Sequence, residues 1–190
     1  HHVEGRVDPL GDIETINTEL LLADLDAVER AVERYEKRSK SGDKAAIAAR
    51  DALRAMAGAL DEGIPVRAQT LSEAAAEVVR ELHLLTAKPV LYVANVDEDG
   101  FEDNPHLAAV ESLAARENAL VVALCAGIEA ELSQLDEAEL DEMLSAYELE
   151  EPGLNRLIRR GYQLLDLLTF FTAGPKEVRA WTVRRGATAP

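Results

Sequence analysis

Apolar residues recur every three or four positions through the first third of the chain, a spacing that predicts two amphipathic helices. Turn-forming residues at 39–43 separate a helix over 12–39 from a second helix that ends near Leu60. Matching seams on the two helices predict an antiparallel coiled-coil hairpin, with an ordinary helical pair of a bundle as the alternative. The seam residues are Leu21, Leu25, Val28, Val32 and Tyr35 on the first helix, and Ala46, Ala49, Leu53, Met56 and Leu60 on the second.

A third helix is predicted directly after the hairpin. The segment Thr70-Leu71-Ser72-Glu73 has the form of a capping box, in which a hydroxyl and a carboxylate satisfy the first free backbone N–H groups of a helix. The helix should run to about Ala87. Its apolar face comprises Ala75, Val78, Leu82 and Leu85.

The pattern then changes to short apolar runs, which predict buried parallel strands over 89–94 and 120–124. Between them, Asn104-Pro105 is typical of the start of a helix, which should end near Glu117. Strand, helix and strand in this order form a βαβ unit. The fold class is therefore predicted to be α/β.

The last part of the chain mixes acidic helices with β-forming residues. Residues 126–155 contain ten acids and no base, which predicts a pair of solvent-exposed helices broken near 134–136. A further helix is predicted from Gly153 to about Leu168. Two short strands of a different unit should follow, over 169–172 and 178–183.

The distribution of charge narrows the choice of partners. With 36 acidic and 20 basic residues the net charge is −16, so the chain as a whole repels nucleic acid and anionic membranes. Residues 156–190 are the exception, because seven basic and two acidic residues give them +5, whereas residues 1–155 carry −21. This uneven distribution has two interpretations. It is either a chance arrangement that favours solubility, or it forms a cationic end face that binds an anionic partner. The single cysteine, Cys125, favours a reducing, cytoplasmic location, and no apolar run is long enough to predict a membrane span.

Two loops follow the predicted strands, where an open α/β sheet binds its ligands. The first is Asn95-Val96-Asp97-Glu98, and the second is Cys125-Ala126-Gly127-Ile128-Glu129. An Asn amide both donates and accepts hydrogen bonds, which suits the N6 and N7 edge of adenine. Backbone groups of the second loop could close a slot for the base. Taken alone, an Asn after a strand is more often a turn former than a ligand-binding residue.

Four longer segments resemble the Obg-like ATPases, the YchF subfamily of P-loop NTPases. These segments are KPVLYVANVDEDG at 88–100, DIETINTEL at 12–20, EEPGLNR at 150–156 and FTAGPKEVRAWT at 171–182. The resemblance extends over essentially the whole chain. It implies an α/β fold that is part of a P-loop NTPase G domain, with an inserted antiparallel coiled-coil hairpin and the start of a TGS domain.

The resemblance also implies a base-recognition site. Asn95 to Glu98 match the NKxD loop of GTPases, in which the Asp reads the guanine edge. Glu98 stands in place of that Asp and fits guanine poorly, and members of the subfamily prefer ATP, with GTP as the alternative. Asn95 and the backbone of Val96 would contact adenine, and the loop at Ala126-Gly127 would complete the pocket.

Catalytic groups are expected mostly outside this chain. The resemblance places His2 in a mobile loop whose histidine is implicated in hydrolysis in place of the usual glutamine, and a tag remnant is the alternative for this residue. No G-x-x-x-x-G-K-[ST] phosphate loop occurs in the sequence, so the chain is expected to be part of a longer protein. Alone it should bind nucleotide weakly and hydrolyse nothing. No metal ligand is predicted here, because the Mg²⁺ ligands would lie outside this chain; K⁺ is a further candidate ion.

The predicted domain scheme has four parts. Residues 1–11 end an upstream G-domain segment, 12–70 are the helical insertion, 71–168 are the later part of the nucleotide-binding domain, and 169–190 begin the TGS domain. The function implied for the longer protein is ATP hydrolysis by a cytoplasmic switch protein that associates with ribosomes or rRNA, without a membrane. A non-enzymatic interaction module, which would use the hairpin and the acidic helices, is the rival, and a GTP-specific GTPase is a third possibility.

Overall fold

The computed structural model describes residues 7–188. Its contacts divide the chain between Pro89 and Val90 into two compact units. The predicted scheme placed a boundary at residues 70 and 71, but the helix that follows packs on the hairpin and belongs to the first unit. As an assignment of domains within a longer protein, the predicted scheme stays a prediction.

The first unit is built on a helical hairpin. Helix α1 spans Pro9–Ser39 and helix α2 spans Lys44–Asp61, and the Asp43 carboxylate accepts the N–H groups of Ala45 and Ala46 to begin α2. All five predicted seam residues of α2 are buried. On α1, Val28 and Tyr35 are buried and the other three predicted seam residues are partly buried against the same core. The helical pair and its seam are confirmed, while its coiled-coil geometry stays a prediction.

The third helix is shorter than predicted. After a short 3₁₀ turn at Val66–Ala68, helix α3 spans Glu73–Leu82, and its cap is the hydroxyl of Ser72 rather than of Thr70. His83 adopts a left-handed backbone conformation and ends the helix. The apolar face therefore shifts, so Leu84 is buried and Leu85 is exposed. The N–H of Leu85 is bonded to a side chain of α1, a contact that local spacing does not reveal.

The second unit contains the predicted βαβ arrangement. Strand β1 (Leu91–Asn95) and strand β2 (Leu120–Leu124) are parallel, and Asn95 lies opposite Leu124 at their carboxyl ends. Helix α4 (Pro105–Glu117) connects them, and the Asn104 side chain caps it by accepting from His106 and Leu107. The α/β class is confirmed.

Three helices and a β-hairpin complete this unit. Helices α5 (Ala126–Leu132) and α6 (Glu137–Ala146) are the predicted acidic pair, helix α7 spans Gly153–Leu164, and strands β3 (Leu167–Ala173) and β4 (Val178–Arg184) pair antiparallel. Helix α7 ends four residues earlier than predicted. Asp166 takes a left-handed conformation there, and Leu167 and Leu168 pair with β4 instead of continuing the helix. Within residues 7–188, no helix is both long and apolar enough to cross a membrane.

Candidate functional site

A direct hydrogen bond joins the two predicted loops. The Asn95 Oδ1 atom accepts the backbone N–H of Ala126 at 2.9 Å. Parallel strands in register bring both loops to the same edge of the sheet, because Asn95 ends β1 beside the last residue of β2. The structure therefore brings Asn95 and the Ala126-Gly127 segment together. Their role in binding a base stays a prediction.

The other predicted residues are divided between structural and exposed positions. The Val96 side chain is buried, and its N–H donates to the carbonyl oxygen of Leu124 at 2.9 Å. Its backbone can therefore contribute only the carbonyl oxygen to a ligand, which accepts a hydrogen bond. Glu98, Ala126 and Gly127 are exposed. The site thus offers an amide donor, a carbonyl acceptor and an accessible backbone segment.

A tight turn supports the first loop. The N–H of Gly100 donates to the Asp97 carbonyl at 2.9 Å, and the Asn104 side-chain amide donates to the Gly100 carbonyl at the same distance. A Cβ on Gly100 would lie 3.0 Å from the Val96 Cβ and 3.1 Å from the Asp97 backbone. A larger residue would push against the loop itself. A side chain at position 100 would therefore require the loop to shift by a few tenths of an ångström.

An apolar cluster supports both loops. Its buried members are Cys125, Ile128, Leu132 and Leu144, and the partly buried residues packed on it include Phe101 and Tyr147. Cys125 is a packing residue in this environment. The Glu98 carboxylate raises the pKa of the Tyr147 phenol above its usual range, since a nearby negative charge disfavours the phenolate. Burial and the neighbouring Glu131 and Cys125 add to the rise.

The first turn of α7 also reaches the site. The Glu129 carboxylate accepts the N–H groups of Gly153 and Leu154 at 2.6 and 3.0 Å. The Arg156 guanidinium donates to the Ala123 carbonyl at 3.0 Å and lies 6.0 Å from the centre of the Phe101 ring. The sequence reasoning missed these contacts. One signal was present: Pro152 precedes the helix and has no side-chain group that could cap it.

The cationic end of the chain is partly neutralised. Exposed ion pairs join Arg159 to Glu151, Arg179 to Glu177, and Arg185 to Asp166. The Arg179 and Arg185 pairs are exposed on both sides and therefore weak, so an anionic partner can displace their carboxylates at little cost, whereas the Arg159 pair is bidentate and its carboxylate is partly buried. The other candidate for chemistry, His2, lies outside the described residues.

Comparison with known proteins gives a consistent result. Residues 167–190 match the family model YchF-GTPase_C, described as "Protein of unknown function (DUF933)". The whole chain is 53% identical over 189 residues to the ribosome-binding ATPase YchF of Escherichia coli O157:H7, and covers 52% of that protein. It is 45% identical over 192 residues to the protein of the same name from Bacillus subtilis, again covering 52% of it.

A solved structure agrees with these relatives. The Schizosaccharomyces pombe YchF GTPase matches with a TM-score of 0.86 and 30% sequence identity, covering all of this chain and 52% of the solved chain. The chain thus spans about half the length of the curated relatives it matches.

Proposed function

The chain belongs to the YchF family, and we propose that it supplies the base-recognition part of an ATP-hydrolysing, ribosome-associated protein. The observation that carries this proposal is the hydrogen bond from the Ala126 N–H to the Asn95 side chain. It orients the amide so that Oδ1 faces the second loop, and this leaves the Nδ2 group to donate to a ligand. The name of the relatives, ribosome-binding ATPase, agrees with the proposal.

Adenine fits the groups that the two loops present. The Asn95 Nδ2 group donates to N7 of the base, and the Val96 carbonyl accepts from the N6 amino group. The exposed Ala126-Gly127 backbone lies along the base plane. Guanine presents O6, an acceptor, where adenine presents N6–H₂, so it would place two acceptors against each other at Val96. Glu98 is longer than the Asp that reads guanine in GTPases, and its charge also raises the pKa of the Tyr147 phenol.

The sheet of the second unit is proposed to be part of a P-loop NTPase G domain. Parallel sheets are normally covered on both faces, yet Val93 in the middle of β1 is 47% exposed. In this proposal the phosphate loop, the Mg²⁺ ligands and a K⁺ site belong to the other half of the G domain. His2 would assist the attack of water on the γ-phosphate. This chain alone would bind nucleotide weakly, because it lacks the groups that hold the phosphates. The β3–β4 hairpin would begin a TGS domain.

Nucleotide selectivity tests the proposal. In a full-length YchF protein that carries these residues, ATP should bind at least about tenfold more tightly than GTP, roughly 1.4 kcal/mol. Asn95→Ala should weaken ATP and GTP binding to a similar extent, because N7 is an acceptor in both purines. Asn155→Ala, which alters an exposed amide on α7, is the matched control and should leave both affinities unchanged. Equal affinities for ATP and GTP in the unaltered protein would contradict the proposed base specificity.

Ribosome association is the second part of the proposal. Helix α7 and the β3–β4 hairpin carry the basic residues of the +5 segment, and the exposed ion pairs of Arg179 and Arg185 can open toward rRNA phosphates. The full-length protein should co-sediment with ribosomes, and the double substitution Lys176→Glu and Arg184→Glu should reduce the bound fraction. Absence of co-sedimentation both with and without ATP would count against the partner.

A further inference from the structure

Helix α7 obtains its N-terminal cap from a distant residue. Pro152 precedes the helix and makes no side-chain capping bond. The Glu129 carboxylate, 24 residues earlier in the chain, instead accepts the N–H of Gly153 at 2.6 Å, and its second oxygen accepts the N–H of Leu154 at 3.0 Å. A carboxylate at this position also interacts favourably with the positive end of the helix dipole. One side chain thus satisfies two backbone donors that the local sequence leaves free.

The same side chain belongs to the second base loop. Glu129 lies in the first turn of α5, and the first residue of that helix, Ala126, is the one bonded to Asn95. There is no space for a side chain at Gly153, because a Cβ there would lie 2.7 Å from Glu129 Oε1 and 2.9 Å from the Leu124 Cβ. The carboxyl end of β2 and the first turns of α5 and α7 are therefore held in one arrangement.

Arg156 strengthens this arrangement from the other side. One turn into α7, its guanidinium donates to the Ala123 carbonyl near the end of β2 and lies over the Phe101 ring, which follows the first base loop. Glu129 and Arg156 together connect α7 to both loops. The segment 150–156, which has no assigned part in base recognition, therefore contacts both loops.

We infer that Glu129 is a positioning residue for nucleotide recognition, an inference that rests on the proposed function. By tying α5 to α7, it holds the Ala126-Gly127 backbone in position beside Asn95. Loss of the carboxylate frees the start of α5, and the base then meets a loop that must be ordered on binding. The substitution should therefore weaken the contribution of the base to affinity and leave the contribution of the phosphates unchanged.

The test compares a ligand that has a base with one that has none. In the full-length protein, the dissociation constants of ADP and of inorganic triphosphate are measured by calorimetry for the unaltered chain, Glu129→Ala and Glu129→Gln. Because part of the binding free energy then goes into ordering the second base loop, Glu129→Ala should weaken ADP binding about tenfold, roughly 1.4 kcal/mol. Inorganic triphosphate should bind within about twofold of the unaltered protein. Glu129→Gln keeps an acceptor oxygen and should recover part of the loss.

The control is Glu131→Ala, which removes an exposed carboxylate two residues further along α5 and should leave both constants unchanged. Equal weakening of ADP and triphosphate by Glu129→Gln, or no change in ADP binding by either Glu129 variant, would overturn the assignment while leaving the proposed function intact. An unaltered protein that binds triphosphate but gains nothing from the base of ADP would overturn both.

Discussion

The carboxylate of Asp24 accepts the backbone N–H of Thr86 at 2.6 Å, although 62 residues separate them in the chain. Its other oxygen accepts the N–H of Leu85 at 2.8 Å. Asp24 is only 2% exposed, and the described part of the chain holds no ion pair to it. Two backbone donors therefore stabilise this buried charge. The contact also fixes the segment that follows α3.

Removal of the Asp24 charge should destabilise the first unit. In Asp24→Asn, an amide donor faces one of the two backbone N–H groups, and the free energy of unfolding should fall by about 1–3 kcal/mol. Asp26→Asn is the matched control on the same helix, where an exposed pair with Arg30 is worth at most about 1 kcal/mol. Urea denaturation followed by circular dichroism measures both. Equal losses in the free energy of unfolding from the two variants would show that the buried contact stabilises the unit no more than the exposed ion pair does.

The seam of the hairpin should carry much of the stability of the first unit. Leu53 is fully buried between α1 and α2, so Leu53→Ala should lower the free energy of unfolding by about 2–5 kcal/mol through lost burial and a cavity. The control is Leu22, which is 60% exposed on α1. Leu22→Ala should change the free energy of unfolding by less than about 0.5 kcal/mol. The same denaturation experiment applies. A small loss from Leu53→Ala would contradict the packing of the seam.

Two glycines of α7 should respond to alanine with opposite signs. Gly153→Ala places a methyl group 2.7 Å from the Glu129 carboxylate and 2.9 Å from Leu124, and should destabilise the second unit by about 1–3 kcal/mol. A Cβ on Gly161 would meet open space, so Gly161→Ala should stabilise the helix by about 0.5–1 kcal/mol. Thermal unfolding of the two variants checks both signs. Stabilisation by both substitutions would be inconsistent with the close contact at Gly153.

The proximity of Glu98 and Tyr147 can be tested by titration. The carboxylate is the largest cause of the raised pKa of Tyr147, so Glu98→Gln should lower that pKa toward the usual value of 10.0. The sign follows because the phenolate is the charged form, and a neutral neighbour no longer repels it. Ring resonances of Tyr147 followed by NMR against pH give the measurement. The control is Glu137→Gln, in the first turn of α6, which should leave the Tyr147 pKa unchanged. An unchanged Tyr147 pKa in Glu98→Gln would show that the Glu98 carboxylate is not close to the phenol.

Local patterns in the sequence were sufficient for most elements. The seam residues of α2, the span of β2 and the start of α4 at Asn104-Pro105 were all predicted where the structure has them. Side-chain periodicity and helix caps depend on residues only a few positions apart, so a single sequence contains that information. The approach of Asn95 to the second loop also followed, because parallel strands bring their carboxyl ends to one edge.

Only the tertiary structure shows the contacts that polar residues make with segments far away in the sequence. Helical spacing places Asp24 on the same face of α1 as Leu21 and Val28, and Glu129 lies in a segment predicted to be solvent-exposed, but neither pattern identifies a partner. In the structure, each carboxylate accepts two backbone N–H groups of a distant segment. These contacts hold the segment that follows α3 and the first turn of α7. The reason is physical: a buried polar group is stable only where partners from elsewhere in the fold satisfy it, and local spacing carries no record of those partners.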